Sequence, residues 1–305
     1  MRAIVHAPDH PHRMAFAEVD EPAPLPHQAL IEVSHIALNY AELAFTERWP
    51  AGIVLGLETS GRVLRGAANG SGPAPGTRVT GYASGGGWAR RRVMETNRMA
   101  EIPDGLDQAT AAALPVAGVT ALRALRTIGS VVGRRVLVTG AGGGVGRMAV
   151  QLAAHAGADV IALASTAERA KGLDAIGARE VVIGEAPLPR FDHVLDNVGG
   201  ATLTRCYAQL PQDGLLVSIG AAGGAKSTID FEQARLREAG RIVPFNVYSE
   251  GPPGADIATV LRLAARGAID AQIGWRGAWD RVADAVDDFK LRRVVGKAVL
   301  DVSQG

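Results

Sequence analysis

The 305-residue sequence predicts an α/β protein in which a doubly wound parallel sheet is set into a β-rich module. Three observations predict it. From about residue 135 onward, short apolar runs alternate with helical stretches, the rhythm of strands covered on both faces of a parallel sheet. Before that point, short apolar runs follow one another across Pro- and Gly-rich turns without intervening helices, as in a barrel or sandwich. After Gly251 the composition shifts again, and the chain closes on an apolar run, so the tail is expected to pack back on the N-terminal module.

In the N-terminal part, strands are expected at 3–5, 29–33, 61–64, 78–80 and 89–93, with 66–76 as a loop. Residues 107–126 read as an alanine-rich helix broken at Pro115, which lacks a backbone N–H. Six strands follow at 135–138, 160–164, 181–183, 193–195, 215–219 and 241–245. Helices are expected at 166–176, 201–210 and 231–239, and Ser165 with Glu168 has the spacing of a capping box. Pro187 and Pro189 leave little room for a crossover helix between the third and fourth of these strands. In the tail, amphipathic helices are expected at 257–266 and 279–290, with a strand at 296–302. The domains are then 1–115 with 251–305, and 116–250 between them.

The stretch 136–166 carries the chemistry. An apolar run ends at Thr139, a turn follows with Gly140, Gly143, Gly144, Val145 and Gly146, and Ala149, Leu152 and Ala156 continue at helical spacing. That is the strand–glycine turn–helix of a Rossmann dinucleotide site. Glycines let the backbone approach the pyrophosphate, and the helix N-terminus offers it unpaired N–H groups and a positive dipole end. A glycine pattern alone is weak; the strand before it and the helix after it make it specific.

Composition narrows the rest. A net charge of +1 asks for no nucleic-acid partner. The single cysteine, Cys206, rules out an intrachain disulfide, and its helical setting suggests a small buried side chain. No apolar run approaches the roughly 20 residues of a membrane span, and the N-terminus shows no signal-peptide core, so a cytoplasmic protein is expected. The triplet Arg90–Arg91–Arg92 lies on a strand whose side chains alternate, which turns at most part of it inward. Trp88 either caps a substrate pocket or fills core.

Several motifs in order carry a resemblance: 38–43 (Leu-Asn-Tyr-Ala-Glu-Leu), 56–61 (Gly-Leu-Glu-Thr-Ser-Gly), 75–79 (Pro-Gly-Thr-Arg-Val), 115–121 (Pro-Val-Ala-Gly-Val-Thr-Ala), 196–200 (Asp-Asn-Val-Gly-Gly) and the closing Gly-Lys-Ala-Val-Leu. Over nearly its whole length the chain resembles the medium-chain dehydrogenase/reductases, and among them the zinc-free quinone oxidoreductase and zeta-crystallin-like branch. The resemblance implies a Rossmann domain inserted in a GroES-like barrel. In the zinc-dependent branch a cysteine stands at the place of Asn39 and a histidine at that of Leu57, and a lobe of clustered cysteines is present; all are missing here. The seven histidines are scattered, so no metal site is expected.

No carboxylate ends the second strand of the βαβ unit, where an NAD-binding site would place one. Ser165 and Arg169 follow instead and suit a 2′-phosphate, and the resemblance gives a basic residue at the Arg169 place that role. NADPH is therefore expected over NADH, against the plainer alternative of a solvated arginine. A tyrosine common near Gly184 in that branch is absent. Toward the nicotinamide, the resemblance points to Thr120, Asn197, Val198, Gly220, Phe245 and Lys297; Phe245 could equally pack in the core.

Without a metal or catalytic cysteine, the acceptor must already be electrophilic: a small hydrophobic quinone or α,β-unsaturated carbonyl compound. Asn39 and Tyr40 are the candidates to hold the charge that develops and to supply a proton. A Tyr40 whose hydroxyl is satisfied elsewhere is the plain alternative. Enoyl-thioester reductases of the superfamily commonly carry a tyrosine near 48–50, where this chain has Trp49. An ene reductase tailoring a polyketide and a non-catalytic NADPH-binding sensor are the competing readings. A homodimer through a sheet edge at 241–247 is expected.

Overall fold

The computed structural model describes residues 1–44 and 49–303. The chain divides into two compact units: Met1–Val119 with Gly251–Gly267 and Ala271–Gly305, and Thr120–Glu250 with Ala268–Asp270.

The first unit opens with β1 (Arg2–His6) and β2 (Met14–Glu18), an antiparallel pair. Then come β3 (Gln28–Leu38), α1 (Tyr40–Ala44), β4 (Glu58–Arg65), β5 (Arg78–Tyr82), β6 (Arg91–Glu95) and β7 (Met99–Glu101). Strand β3 is 11 residues long, twice what its apolar run suggests, because three partners hold it: β4 along one side, and β6 and a C-terminal strand along the other. Helix α2 (Gln108–Ala113) is capped by Asp107, whose carboxylate accepts from Thr110 N, and Leu114 separates it from α3 (Pro115–Ile128). Proline at the first helical position costs no hydrogen bond, so the predicted break becomes a second helix start.

The second unit is a six-stranded sheet paired in parallel throughout, in the order β10-β9-β8-β11-β12-β13. Its members are β8 (Arg135–Thr139), β9 (Asp159–Ala164), β10 (Ala178–Ile183), β11 (His193–Asp196), β12 (Leu215–Ser218) and β13 (Arg241–Pro244). In order of appearance this is 3-2-1-4-5-6, the doubly wound order that puts a switch point beside the first strand. Its helices are α4 (Gly144–His155), α5 (Ala167–Ala170), α6 (Gly200–Tyr207) and α7 (Phe231–Leu236). The expected helix at 166–176 is only the four residues of α5, capped by the Thr166 side chain rather than Ser165. Gly172 at φ +72° and Gly177 at φ +112° favour turns over helix in that stretch. No helix bridges β10 and β11, in line with the two prolines. Cys206 is fully buried in the core of this sheet, and burial pushes its thiol up to about 12.

The chain ends with α8 (Gly254–Ala265), β14 (Ile273–Ala278), α9 (Val282–Lys290) and β15 (Lys297–Asp301), all in the first unit. Strand β15 pairs antiparallel with β3, which brings Lys297 beside the end of β3, and parallel with β14. β14 escapes a sequence reading because Gly274 and Gly277 dilute its strand signal. Trp88 and Trp279, both fully buried, anchor the apolar core under this edge, so Trp88 fills core. No helix among the described residues is long and apolar enough to cross a membrane.

Candidate active site

In the second unit the site is built on the end of β8. Gly140 turns the chain at φ +59°. A Cβ on Gly146 would lie 2.2 Å from the Gly140 carbonyl oxygen, and one on Gly142 would lie 2.5 Å from that of Arg169, so neither place admits a side chain. Gly143 caps α4 without a side-chain hydrogen bond, which leaves the first-turn N–H groups of Gly144, Val145 and Gly146 for a ligand or water. The helix runs on for 12 residues, and its dipole favours an anion there. These residues fit the pyrophosphate of a dinucleotide.

One buried carboxylate organises the neighbouring strand ends. Asp196, the last residue of β11, accepts from the Thr139 hydroxyl at 2.6 Å, from Gly199 N at 2.9 Å and from Val198 N at 3.3 Å. Burial raises its pKa, and the bonds from Thr139, Gly199 and Val198 pull the other way. Asn197 N donates to the Thr139 hydroxyl at 3.0 Å, and its amide donates to the Thr139 carbonyl at 2.9 Å. Gly220 N donates to the Asp196 carbonyl oxygen, and the Val198 side chain lies 3.1 Å from where a Gly140 Cβ would be. Three expected residues, Asn197, Val198 and Gly220, are thus held by one network, and Gly140 lies against the Val198 side chain. Asp196 itself is a site residue the sequence reading passed over; the signal was its place at the head of Asp-Asn-Val-Gly-Gly. Thr120 is buried in α3, and Phe245 is half-buried just after β13, its N–H on the Ser218 carbonyl.

At the adenosine end, Ser165 is exposed after β9. Arg169 turns back over the glycine turn, its Nη2 donating to the Gly142 carbonyl at 3.0 Å. The structure thus brings Arg169 against the turn it follows by 27 residues.

The first unit holds a different kind of network at the end of β3. Asn39 is buried; its amide donates to Glu58 Oε1 at 2.9 Å and its Oδ1 accepts from Lys297 Nζ at 2.6 Å. Lys297 Nζ also donates to the Leu38 carbonyl at 3.0 Å and to Glu58 Oε1 at 2.5 Å. An ammonium has three hydrogens, and all three have acceptors here. Lys297 therefore presents no donor to a cofactor as placed: the expectation that it reaches the nicotinamide gives way to a role inside this cluster.

Two glutamates complete it. Glu58, fully buried, puts its second oxygen on Val116 N at 2.7 Å, capping the start of α3. Glu42 accepts from Asn39 N at 2.6 Å and Leu57 N at 2.5 Å. Burial pushes the Glu42 carboxyl up to about 8, with those two N–H bonds opposing. The Leu57 carbonyl in turn accepts from Arg92, the one inward member of the arginine triplet. Tyr40, by contrast, opens α1 and is 46% exposed. Trp49 packs against the unit's core, and Arg48 lies outside the described residues.

With this geometry in view, comparison with known proteins gives consistent results. The family model for zinc-binding dehydrogenases matches residues 144–266. An acryloyl-coenzyme A reductase of Metallosphaera sedula is 25% identical over 98% of this chain and 99% of its own. The structure of mycobacterial Rv1454c complexed with NADPH superposes with a TM-score of 0.89 at 25% identity, covering 99% of both chains. The chain is similar over most of its length to quinone oxidoreductase-like protein 2 of Bos taurus, 26% identical over 91% of this chain and 86% of its own. An erythronolide synthase of Saccharopolyspora erythraea is 31% identical over 92% of this chain, which spans only 8% of that protein's length.

The glycine turn fits the phosphates of a dinucleotide, but the residues present do not fit the zinc named for the matched family. The Asn39 oxygen is taken by Lys297, and Leu57 has no ligand atom in its side chain. Among the described residues, no group of three or more His, Cys, Asp or Glu side chains is placed to hold a metal ion.

Proposed function

We propose that this chain is a metal-independent, NADPH-dependent reductase of quinones or α,β-unsaturated carbonyl compounds, working as a homodimer. When bound, the reduced nicotinamide supplies a hydride. The observation that carries the choice of acceptor is the content of the two zinc-ligand places, Asn39 and Leu57. With no Lewis acid held there to polarise an alcohol or ketone oxygen, the acceptor must be activated by its own conjugation. The acryloyl thioester named for one relative belongs to that class.

The residues divide the work. Gly140, Gly143, Gly144, Val145 and Gly146 hold the pyrophosphate, and Ser165 and Arg169 hold the 2′-phosphate, which the NADPH named for a structural neighbour supports. Thr120, Asn197, Val198, Gly220 and Phe245 shape the nicotinamide end. Tyr40 donates to the oxygen that gains charge as the acceptor is reduced. Asn39, its amide committed to Glu58, positions Tyr40 rather than touching substrate. Strand β13 pairs only with β12 among the described strands, and its outer edge is where a second copy would add.

The test is NADPH oxidation over a panel of quinones, enones and enoyl thioesters, with and without a chelator. Turnover of at least one class, unchanged by the chelator, is expected. Activity lost on stripping metal and restored by zinc would sink metal independence, and tight NADPH binding with no acceptor reduced would favour a sensor. A second reading, an ene reductase tailoring a polyketide, is favoured by the 92% of this chain that aligns to the erythronolide synthase. Enoyl thioesters turned over far faster than quinones would support it.

A further inference from the structure

The segment that carries Arg169 has little structure of its own. Helix α5 is four residues long, and residues 171–177 are turns. A side chain meant to grip a phosphate from such a segment needs an external support, because a loose loop loses ordering entropy on every binding event. The support present is Arg147, in the first half of α4. Its Nη1 and Nη2 both donate to the Lys171 carbonyl, at 3.2 and 3.0 Å, closing a fork on the turn that ends α5. The fit is close: a Cβ on the next residue, Gly172, would lie 3.4 Å from Arg147 Nη2, and Gly172 stands at φ +72°.

Arg147 is 5% exposed, so it is not placed to meet a ligand directly. Its charge is nevertheless felt. Burial, and then the nearby positive charge of Arg169, lower the Arg147 pKa. The two arginines thus share the neighbourhood of the α5 turn, where the Asp270 carboxylate offsets part of the Arg147 charge. Arg169 approaches this place from one side through its bond to Gly142, and Arg147 braces the turn on the other.

We infer that Arg147 is a positioning residue for the adenosine 2′-phosphate: it fixes the α5 turn so that Arg169 is held ready, and adds positive potential from beneath. This inference rests on the reading of the site as one for NADPH. The two hydrogen bonds of Arg147 go to the turn that follows Arg169, the residue read as holding the phosphate that distinguishes NADPH from NADH, so its removal should change the preference between the two and not merely the stability of the fold.

The experiment is direct titration of NADPH and of NADH by calorimetry on wild type, Arg147→Met and Arg147→Lys. For Arg147→Met the NADPH dissociation constant should rise by about tenfold, the equivalent of one lost charge-assisted contact, while that of NADH moves by less than about twofold. Arg147→Lys keeps the charge but cannot fork onto one carbonyl, and should fall between wild type and Arg147→Met. NADPH binding to wild type should weaken with added salt, and less steeply in Arg147→Met. Equal losses for both nucleotides, or an unchanged preference, would overturn the inference while leaving the NADPH site intact. A wild type that binds no NADPH would overturn both. Should Arg147→Met fail to fold, the Arg147→Lys preference decides alone: a shift toward NADH sustains the inference, and none defeats it.

Discussion

The two units each bury carboxylates beside a strand end, and they satisfy them in opposite ways. In the sheet of the second unit, Asp196 is held entirely by neutral donors, one hydroxyl and two backbone N–H groups. In the first unit, Glu42 and Glu58 share a buried cluster with the Lys297 ammonium, and the Glu42 carboxylate opposes the lowering of the Arg92 pKa by burial. A carboxylate held by neutral dipoles organises a turn without fixing a countercharge, which suits a place where a phosphate-bearing cofactor must approach. A salt-bridged cluster is rigid, but removing one charge leaves the others stranded in a poor solvent. The comparison separates a hydrogen-bonded hinge point from an ionic keystone, and mutations can break either one.

The largest effect is expected from Lys297→Met, which leaves Glu58 buried without its ammonium and should cost about 3–5 kcal/mol in denaturant unfolding. The double variant Lys297→Met/Glu58→Gln should recover part of that loss; no recovery would mean that packing, not charge, is what Lys297 provides.

A pH dependence should follow from Glu42. Its folded pKa, about 8, is above its ordinary value of 4.5, so the folded state holds a proton that the unfolded state has released. Stability should therefore be greatest at and below about pH 4.5, fall as pH rises toward 8, and level off above it. Asp196, also raised by burial, contributes in the same direction over its own window. Glu42→Gln should flatten most of the slope in unfolding measured across that range. A slope unchanged by the substitution would assign it elsewhere.

A smaller loss is expected on the other side of the comparison. Thr139→Val removes the hydroxyl that donates to Asp196 and accepts from Asn197 N, and should cost about 1–3 kcal/mol. Because it also frees the 196–199 turn, NADPH affinity should weaken with it, whereas Lys297→Met/Glu58→Gln should leave that affinity nearly unchanged. The smallest effect on stability belongs to Tyr40→Phe, within about 0.5 kcal/mol for an exposed hydroxyl. Its turnover should nonetheless fall on the order of a hundredfold if Tyr40 supplies the proton. Turnover at the wild-type rate would give that role to solvent.

Much of this was legible along the chain. The six parallel strands were placed to within three residues at either end, because strands buried on both faces are continuous apolar runs that need no partner to be seen. The glycine turn was legible because part of its steric demand is local, Gly146 against the Gly140 carbonyl, although Gly142 answers to Arg169 and Gly140 to Val198 farther along. What failed was also local in origin. The helix expected at 166–176 rested on a capping pattern, yet Gly172 and Gly177 outweighed it. Strand β14 was invisible because its two glycines carry little propensity and its partner β15 supplies the order.

The sequence by itself determined the alternation of strands and helices and the glycine turn after the first strand of the parallel sheet, since each depends on residue identity and short-range spacing. Only the tertiary structure decided what Asn39, Glu42, Glu58 and Lys297 do. Lys297 lies 239 residues from Glu58 and 258 from Asn39, and their meeting is fixed by the register of β15 on β3. A charge has no spacing rule that foretells its partner at such a distance. Desolvation in the folded core is what turns these scattered polar residues into one cluster.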